Sequence, residues 1–410
     1  MKMKYDVLIK RNLTLFSNFV EWFDFIVFAA LATTISQVFL PQNIDGFVGL
    51  TITFVFFTIT YVLRPVGGYI LGLISDKYGR VASFKISLSL MILGTLSIAC
   101  APSYQTMGVF SVLLLILARM AQAFSIGGEW VASAALVYES STSKNKFFMT
   151  SFVNSGIALG VITGSLIIFI FRNIFDDNQF LSFGWRIPFF ISTLLFLSVW
   201  LFRKKYLINE PIELTVSLEF KKNLKVFIGL FLLLSFGGVS FYTFTVMLPT
   251  IFQQLNFTAT QSLLFTMLGV FIMMLCEPLA GIMADKFGAP KIMIAGICGI
   301  LCFAFLHKMI IISGETKSIY FAQCLFGFFL AMYMAITPGF LCSLLPTHNR
   351  CRILGIGYNI PLMIFGGTTP IIILYLNQIN HYLSTSYLAC SCLLALLGLY
   401  ILVNHKETRG

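Results

Sequence analysis

The chain has 410 residues, of which 58% are hydrophobic and only 10% are charged, and its net charge is +11. So few charged residues exclude an ordinary soluble globular protein. A positive net charge can also indicate a nucleic-acid partner, so the positions of the basic residues decide between the two explanations.

Apolar runs of about 20 residues, the length that a helix needs to cross a bilayer, recur along the whole chain. We therefore predict an all-α integral membrane protein with twelve transmembrane helices. The predicted spans cover residues 14–40, 47–72, 81–101, 107–136, 147–171, 186–202, 226–252, 262–284, 291–312, 318–344, 353–376 and 384–403. The first run is long and lacks a small-residue cleavage site, so we expect no cleaved signal peptide.

The basic residues lie mainly on one side of this predicted topology. If the N-terminus is inside, 21 of the 27 Lys and Arg residues fall on the inner side, four fall outside, and Arg64 and Arg119 fall within spans. This bias follows the positive-inside rule and explains the net charge without a nucleic-acid partner. It predicts that both termini are cytoplasmic.

Buried polar residues mark the first functional candidates. Glu21 and Asp24, three residues apart in span 1, share one face of a helix. Carboxylates at such a depth are costly and normally face a cavity or a partner. We predict that they lie on a path for substrate and protons together with six residues of other spans, which are Arg64, Arg119, Gln122, Glu129, Tyr242 and Glu277.

The first half of the chain places three acids, Glu21, Asp24 and Glu129, against two arginines within its spans. The unmatched carboxylate could take up a proton outside and release it inside, because burial and nearby like charge favour the neutral acid. Our hypothesis is that one of the three carries a coupling proton, while Arg64 or Arg119 binds a substrate carboxylate. The alternative is that all five only hold the helices together through ion pairs.

A charged turn bracketed by glycines occurs twice. Residues 72–80 read GLISDKYGR, and residues 281–288, which start 209 positions later, read GIMADKFG. An offset of about half the chain indicates a duplicated unit.

We expect a six-helix bundle in residues 1–202, a cytoplasmic linker in residues 203–225 and a second six-helix bundle in residues 226–410.

We interpret both turns as gating motifs, and we expect Asp76 of the first copy to bind the positively polarised N-terminus of another helix. The residues assigned to this role are Gly72, Asp76, Lys77, Gly79 and Arg80 in the first copy and Asp285 and Lys286 in the second. The second copy continues with Gly288, Ala289 and Pro290 and has no arginine. We therefore expect a weaker lock there.

The repeated motif G-x-x-x-D-[RK]-x-G-R resembles that of the major facilitator superfamily of secondary transporters. Several further stretches are similar to its metabolite:proton symporter family, which includes proline/glycine-betaine and α-ketoglutarate permeases. They are residues 21–25, 64–68, 122–129, 184–190 and 346–350.

This resemblance implies two six-helix bundles with a central site for a small-molecule substrate. It also implies uptake coupled to protons without another cofactor, and a monomer in the bacterial inner membrane. The chain departs from the family in having Ala123 after Gln122, where a glycine is usual. It also ends at Gly410 without the coiled-coil tail of the osmosensing member, so we do not expect osmosensing by that device.

Alternatives remain for the function. A zwitterion such as proline or betaine needs a partner for its cation, and Trp22, Phe23 and Tyr242 offer aromatic faces. A dicarboxylate such as α-ketoglutarate needs two arginines at the cavity, and residues 241–245 and 365–367 resemble the α-ketoglutarate member. A non-transporting sensor would need a signalling domain, of which the sequence shows no sign. A membrane enzyme is not expected, because no nucleophile–base pair, phosphate loop or metal-ligand spacing occurs, the nine cysteines included.

The charge bias predicts that reporter proteins fused after Lys222 and after Gly410 both report a cytoplasmic location. The physical reason is the cost of moving lysine- and arginine-rich segments across the membrane. Alkaline phosphatase and green fluorescent protein fusions measure this directly. A periplasmic signal at either position would contradict the twelve-span topology.

Overall fold

A computed structural model of the chain describes residues 2–41, 44–78, 80–206, 224–347 and 350–407. Within these ranges the protein is helical and contains no strand. In the first half, the helices are α1 (Lys2–Ala30), α2 (Ala32–Phe39), α3 (Gly46–Tyr78), α4 (Arg80–Cys100), α5 (Tyr104–Met107), α6 (Val109–Ser140), α7 (Lys146–Ile174), α8 (Asp177–Ser182) and α9 (Ile187–Tyr206). In the second half, they are α10 (Leu224–Tyr242), α11 (Leu248–Gln254), α12 (Ala259–Phe287), α13 (Ala289–Ser313), α14 (Thr316–Met334), α15 (Thr337–Ser343), α16 (Arg350–Pro361), α17 (Gly367–Ile379) and α18 (Leu383–Glu407).

The prediction of twelve spans is confirmed, because the described residues contain twelve helical stretches long and apolar enough to cross a membrane, one in each predicted span. Span 1 was predicted as one run over residues 14–40, and this is wrong in detail. Its helix starts at Lys2 and is interrupted at Leu31, which separates α1 from α2. Hydropathy reports how long an apolar stretch is, but it does not report whether the helix continues through it.

Three other spans also contain irregular helix. Residues 243–247 and 362–366 form π-helical turns, and the helix of span 10 is interrupted between Met334 and Thr337. Irregular backbone at membrane depth occurs where protein or a cavity surrounds it. All three irregular stretches contain or adjoin residues that line the central cavity described below.

The helices form two six-span bundles, which we call the N-bundle (α1–α9) and the C-bundle (α10–α18). Small residues let helices approach closely within the N-bundle. A side chain at Gly160 of α7 would come within 2.5 Å of the carbonyl oxygen of Phe19 in α1, so the two helices pack closely there. The bundles meet mainly where α7 packs on α12 and where α3 packs on α16 and α17.

Twelve spans place Lys2 and Glu407, the first and last described residues, on the same side of the bundles. We call this the inner side, and its cytoplasmic location stays a prediction. The turn between α12 and α13, which holds the second gating motif, lies on this side. Residues 207–223 of the linker predicted at 203–225 lie outside the described residues, so the boundaries proposed for it stay a prediction.

Candidate functional site

Most of the polar residues singled out in the spans of the N-bundle lie close together. Side chains from α1, α3 and α6 are all buried, with exposed fractions of 5% or less. They are Glu21, Asp24, Arg64, Arg119, Gln122 and Glu129. The bundle therefore avoids the free-energy cost of exposing charge to lipid, because these side chains lie between helices.

Asp24 is the centre of this cluster. One of its oxygens accepts hydrogen bonds from Ser192 at 2.8 Å and Thr95 at 3.2 Å, and the other accepts one from the Gln122 amide at 2.8 Å. The carbonyl oxygen of the Gln122 side chain in turn accepts a bond from Arg119 at 2.9 Å. Gln122 thus bridges Asp24 and Arg119, and one carboxylate joins α1, α4, α6 and α9.

Arg64 connects the cluster to the other bundle. Its guanidinium lies 4.0 Å from the Glu21 carboxylate and 4.9 Å from the centre of the Tyr61 ring. It also interacts with the hydroxyl of Tyr242, which belongs to the C-bundle. Arg64 and Arg119 line the same small pocket inside the N-bundle.

Glu129 and Glu277 lie elsewhere. Glu129 accepts a hydrogen bond of 3.4 Å from Ser87 and lines a separate pocket toward the inner side. Glu277 lies on α12, where its carboxyl group faces Ser155 of α7. The structure thus divides the eight predicted path residues among three places.

A small aromatic cavity lies between the bundles, with a volume of about 30 Å³. Its aromatic walls come from both halves of the chain and consist of Trp22, Trp130, Phe241, Tyr242, Tyr333 and Tyr358. Trp130 and Tyr358 stack face to face, with ring centres 3.9 Å apart. Trp22 packs edge-on against Phe241 at 5.1 Å and lies parallel to Tyr242 at 6.3 Å.

Polar groups hold two of these rings in place. The Trp130 indole donates a hydrogen bond of 3.2 Å to Asn154, whose amide donates to the carbonyl oxygen of Met334 across the bundle interface. The Tyr333 hydroxyl donates to the carbonyl oxygen of Leu233 at 3.0 Å. The cavity shape is therefore fixed by bonds within its walls.

Sequence reasoning selected Trp22 and Tyr242 but missed Trp130, Tyr333 and Tyr358. Phe23, also proposed as an aromatic face, does not line this cavity. With 44 phenylalanines and 15 tyrosines in the chain, an aromatic residue in a span carries little information about which way its ring points.

The two gating motifs are described to different extents. In the first copy, Gly79 and the side chains of Asp76, Lys77 and Arg80 lie outside the described residues. In the second copy, the two oxygens of Asp285 accept hydrogen bonds from the backbone N–H groups of Phe147 at 3.0 Å and Phe148 at 2.9 Å. Asp285 thus docks on the N-terminus of α7, which is the type of contact predicted for Asp76. The docking of Asp76 itself stays a prediction. Lys286 beside it is exposed.

A second contact between the bundles lies on the same side. Arg350, at the start of α16, forms an ion pair of 2.6 Å with Glu139 near the end of α6. The same guanidinium donates to the carbonyl oxygens of Cys342 and Leu345, both at 3.0 Å. Together with Asp285, this pair closes the inner side between the bundles.

Toward the outer side, a cavity of about 190 Å³ remains between the bundles. Its walls contain Thr33 and Arg172 from the N-bundle and Thr245 and Gln253 from the C-bundle. Arg172 donates a hydrogen bond of 3.0 Å to Thr34. The structure is thus closed inside and retains space outside.

We expect Asp285→Asn to loosen the inner closure. The substitution removes the charge that interacts with the helix N-terminus, which is worth about 1–2 kcal/mol in a partly buried site. The ratio of open to closed molecules should then rise roughly 5- to 30-fold. A cysteine placed at Ser151, which is buried on α7 one turn from this contact, should react correspondingly faster with a thiol reagent.

The matched control is Lys291→Gln, which changes the charge of an exposed residue on the next helix, α13, and should leave the labelling rate unchanged. Equal labelling rates in Asp285→Asn and in the unmodified sequence would show that this contact does not hold the inner side closed.

Comparisons with known proteins agree with this architecture. The sequence model of the Major Facilitator Superfamily matches residues 14–356 and 230–410. A putative proline/betaine transporter of Staphylococcus aureus (strain COL) is 33% identical over 376 residues, covering 88% of this chain and 80% of the relative. The glycine betaine/proline/ectoine/pipecolic acid transporter OusA of Dickeya dadantii is 28% identical, with 95% and 81% covered.

A solved structure has the same fold. A double-tryptophan mutant of the xylose transporter XylE superposes with a TM-score of 0.82 at 15% identity, covering 97% of this chain and 95% of that one. The twelve apolar helices and these relatives make the protein a multi-pass membrane transporter, not an enzyme, that binds a small molecule within a lipid bilayer. The chain belongs to the Major Facilitator Superfamily.

Proposed function

We propose that this protein is a proton-coupled symporter that imports a small zwitterion of the proline or glycine-betaine class. The observation that carries the proposal is the aromatic cavity between the bundles, together with the substrates in the names of the relatives. Binding between the two halves, with one half rocking against the other, is the general scheme for transporters of this kind.

The cavity suits the cationic end of such a substrate. An ammonium or quaternary ammonium group is attracted to the face of an aromatic ring, by about 0.5–2 kcal/mol or more when water is excluded. Trp22 of the N-bundle and Phe241 and Tyr242 of the C-bundle present rings from opposite sides. A cation bound there would contact both bundles, so binding would draw them together.

The carboxylate end needs a donor beside these rings. Arg64 supplies one, because its guanidinium interacts with Tyr242 in the cavity wall. An arginine can bind a carboxylate through two parallel hydrogen bonds. The pairing with Glu21 at 4.0 Å is long enough that a substrate carboxylate could compete for the same guanidinium.

The arrangement favours a zwitterion over a dicarboxylate. A dicarboxylate would require two arginines at the cavity, but neither Arg64 nor Arg119 is among its lining residues. Arg119 is held by Gln122 at 2.9 Å and lies over the Phe28 ring at 4.0 Å. Of these two arginines, Arg64 is the one that contacts the cavity wall, because it interacts with the hydroxyl of Tyr242.

We assign the coupling proton to Asp24. It is 1% exposed and joins four helices of the N-bundle through hydrogen bonds that an ionised carboxylate accepts. Protonation would remove the charge that these donors and Arg119 stabilise, and so would loosen the contacts among the helices. One proton could thereby change the packing of the whole bundle.

The proposal includes a location and an oligomeric state. A bacterial cytoplasmic membrane, with both termini inside, accords with the distribution of basic residues and with bacterial relatives. One chain supplies both walls of the aromatic cavity, so we propose that it acts as a monomer.

Purified protein in vesicles with an imposed inward proton gradient should accumulate labelled glycine betaine or proline, and α-ketoglutarate should not compete. Trp22→Leu should raise KM for betaine about tenfold, since loss of a cation–π contact of about 1.4 kcal/mol corresponds to that factor. Trp22→Phe keeps a ring and should stay within about threefold of the original sequence. Accumulation of α-ketoglutarate without inhibition by betaine would contradict the substrate class.

Asp24→Asn should abolish uphill accumulation driven by a pH gradient but spare exchange of labelled for unlabelled substrate. Asparagine keeps the shape of the side chain and much of its hydrogen bonding but cannot carry the proton. Glu129→Gln, at a carboxyl group in a separate pocket, is the comparison and should still accumulate substrate. The assignment is wrong if Asp24→Asn concentrates substrate when only a pH difference is imposed.

A further inference from the structure

One face of α12 forms the seam between the bundles on the inner side. Glu277, Gly281 and Asp285 are spaced four residues apart and therefore share this face. Asp285 binds the N-terminus of α7, and a side chain at Gly281 would come within 2.9 Å of the α7 backbone at Phe147 and Phe148. Glu277, two turns deeper than Asp285, faces Ser155 of the same helix.

Glu277 differs from the other buried acids in its surroundings. Its exposed fraction is 0%, and neither carboxyl oxygen has a partner in good hydrogen-bond geometry among the described residues. Asp24, in contrast, has three donors, and Glu21 has Arg64. An ionised carboxylate without donors in such a place would be very costly.

The neighbouring serine fits a neutral acid. The Ser155 hydroxyl donates to the carbonyl oxygen of Ser151 at 3.3 Å, so the Ser155 oxygen is left to accept a hydrogen bond. A protonated Glu277 can donate to that oxygen, whereas a carboxylate cannot.

Other charged groups on the helices packed against α12 lie far along those helices from Glu277. They are Lys146 and Arg172 on α7, Lys291, His307 and Lys308 on α13, and Lys317 on α14. Each lies within about two turns of a helix end, whereas Ser155 is nine residues into α7. The titratable group beside Glu277 is the adjacent thiol of Cys276. No described cation is placed to stabilise the ionised form.

We propose that Glu277 is a proton-binding site of the inner gate, protonated while α7 and α12 are in contact and ionised when they separate. Separation admits water to the seam, where the carboxyl group can release its proton to the inner solution. Because the closed state binds this proton more tightly, the proton in turn favours the closed state. A low inner pH should therefore hold the transporter closed on that side.

This inference rests on the proposed transport function only in assuming that the inner side opens. It differs from the assignment of Asp24, because the Glu277 proton responds to the gate and needs no substrate.

The test measures the gate without substrate. The experiment uses a variant whose nine native cysteines are replaced. Spin labels are attached at the positions of Lys144 and Lys291, which are exposed and lie on opposite bundles. The distance between the two labels, measured by double electron–electron resonance, reports the width of the inner side. In the otherwise unmodified protein in lipid nanodiscs, the open-to-closed ratio should rise roughly tenfold or more between pH 5.5 and pH 8.5, as one linked proton permits.

Glu277→Gln should keep the short distance and change this ratio by less than about twofold over the same pH range. Glu315→Gln, which removes an exposed acid at the start of α14 on the outer side, should retain the full pH response. A wild-type pH response in Glu277→Gln, or a wide distance at every pH, would overturn the proposal.

Ser155→Ala provides a second measurement that does not depend on folding of the Gln variant. It removes the acceptor for the neutral acid, so the pH at which the gate opens should fall. An unchanged midpoint in this variant would also overturn the proposal. Because no substrate is present, a failed uptake assay would leave these distances informative, and a failed distance assay would leave the substrate assignment intact.

Discussion

Charge that is buried in a membrane must find a partner within the protein, and the N-bundle meets this requirement through the carboxylate of Asp24. Donors from three other helices converge on it, and Arg119 reaches it through Gln122. Hydrophobic attraction between helices is weak in lipid, so hydrogen bonds between helices contribute directly to holding the bundle together. The same carboxylate that holds the bundle together is therefore well placed to change its packing.

The two bundles have different characters where they meet. The N-bundle contributes the ion-pair cluster, whereas the C-bundle contributes aromatic rings and irregular helix near residues 243–247 and 362–366. Lys308, one of the buried cations of the C-bundle, accordingly has an uncharged partner, since it donates a hydrogen bond of 3.2 Å to Asn377. A substrate with one cationic and one anionic end would suit this arrangement, because aromatic rings of both bundles would surround the cation and Arg64 of the N-bundle would bind the carboxylate.

The inner closure combines contacts of different chemistry. Asp285 at the α7 N-terminus and the Arg350–Glu139 pair are polar contacts that water can replace when the bundles part. Glu277 lies deeper in the same seam, where an ionised carboxylate without water has a much larger desolvation cost than these contacts. On the proposal made above, reversible polar contacts at the rim and a titratable group beneath them would give a gate that opens and that responds to protons.

The sequence by itself determined the twelve spans, the duplicated charged turn, and most of the acids and arginines that meet within the N-bundle. These follow from hydropathy, from repetition, and from the free-energy cost of unpaired charge in lipid. All three can be read directly from the amino-acid sequence. Partners separated by 71 to 168 positions, such as Thr95 and Ser192 with Asp24, were decided only by the tertiary structure. The rotation of each helix also decided that Trp130 and Tyr358 line the cavity, and that Glu277 faces the seam instead. Hydropathy gives the depth of a residue in the membrane, but the direction in which its side chain points depends on which helices pack around it.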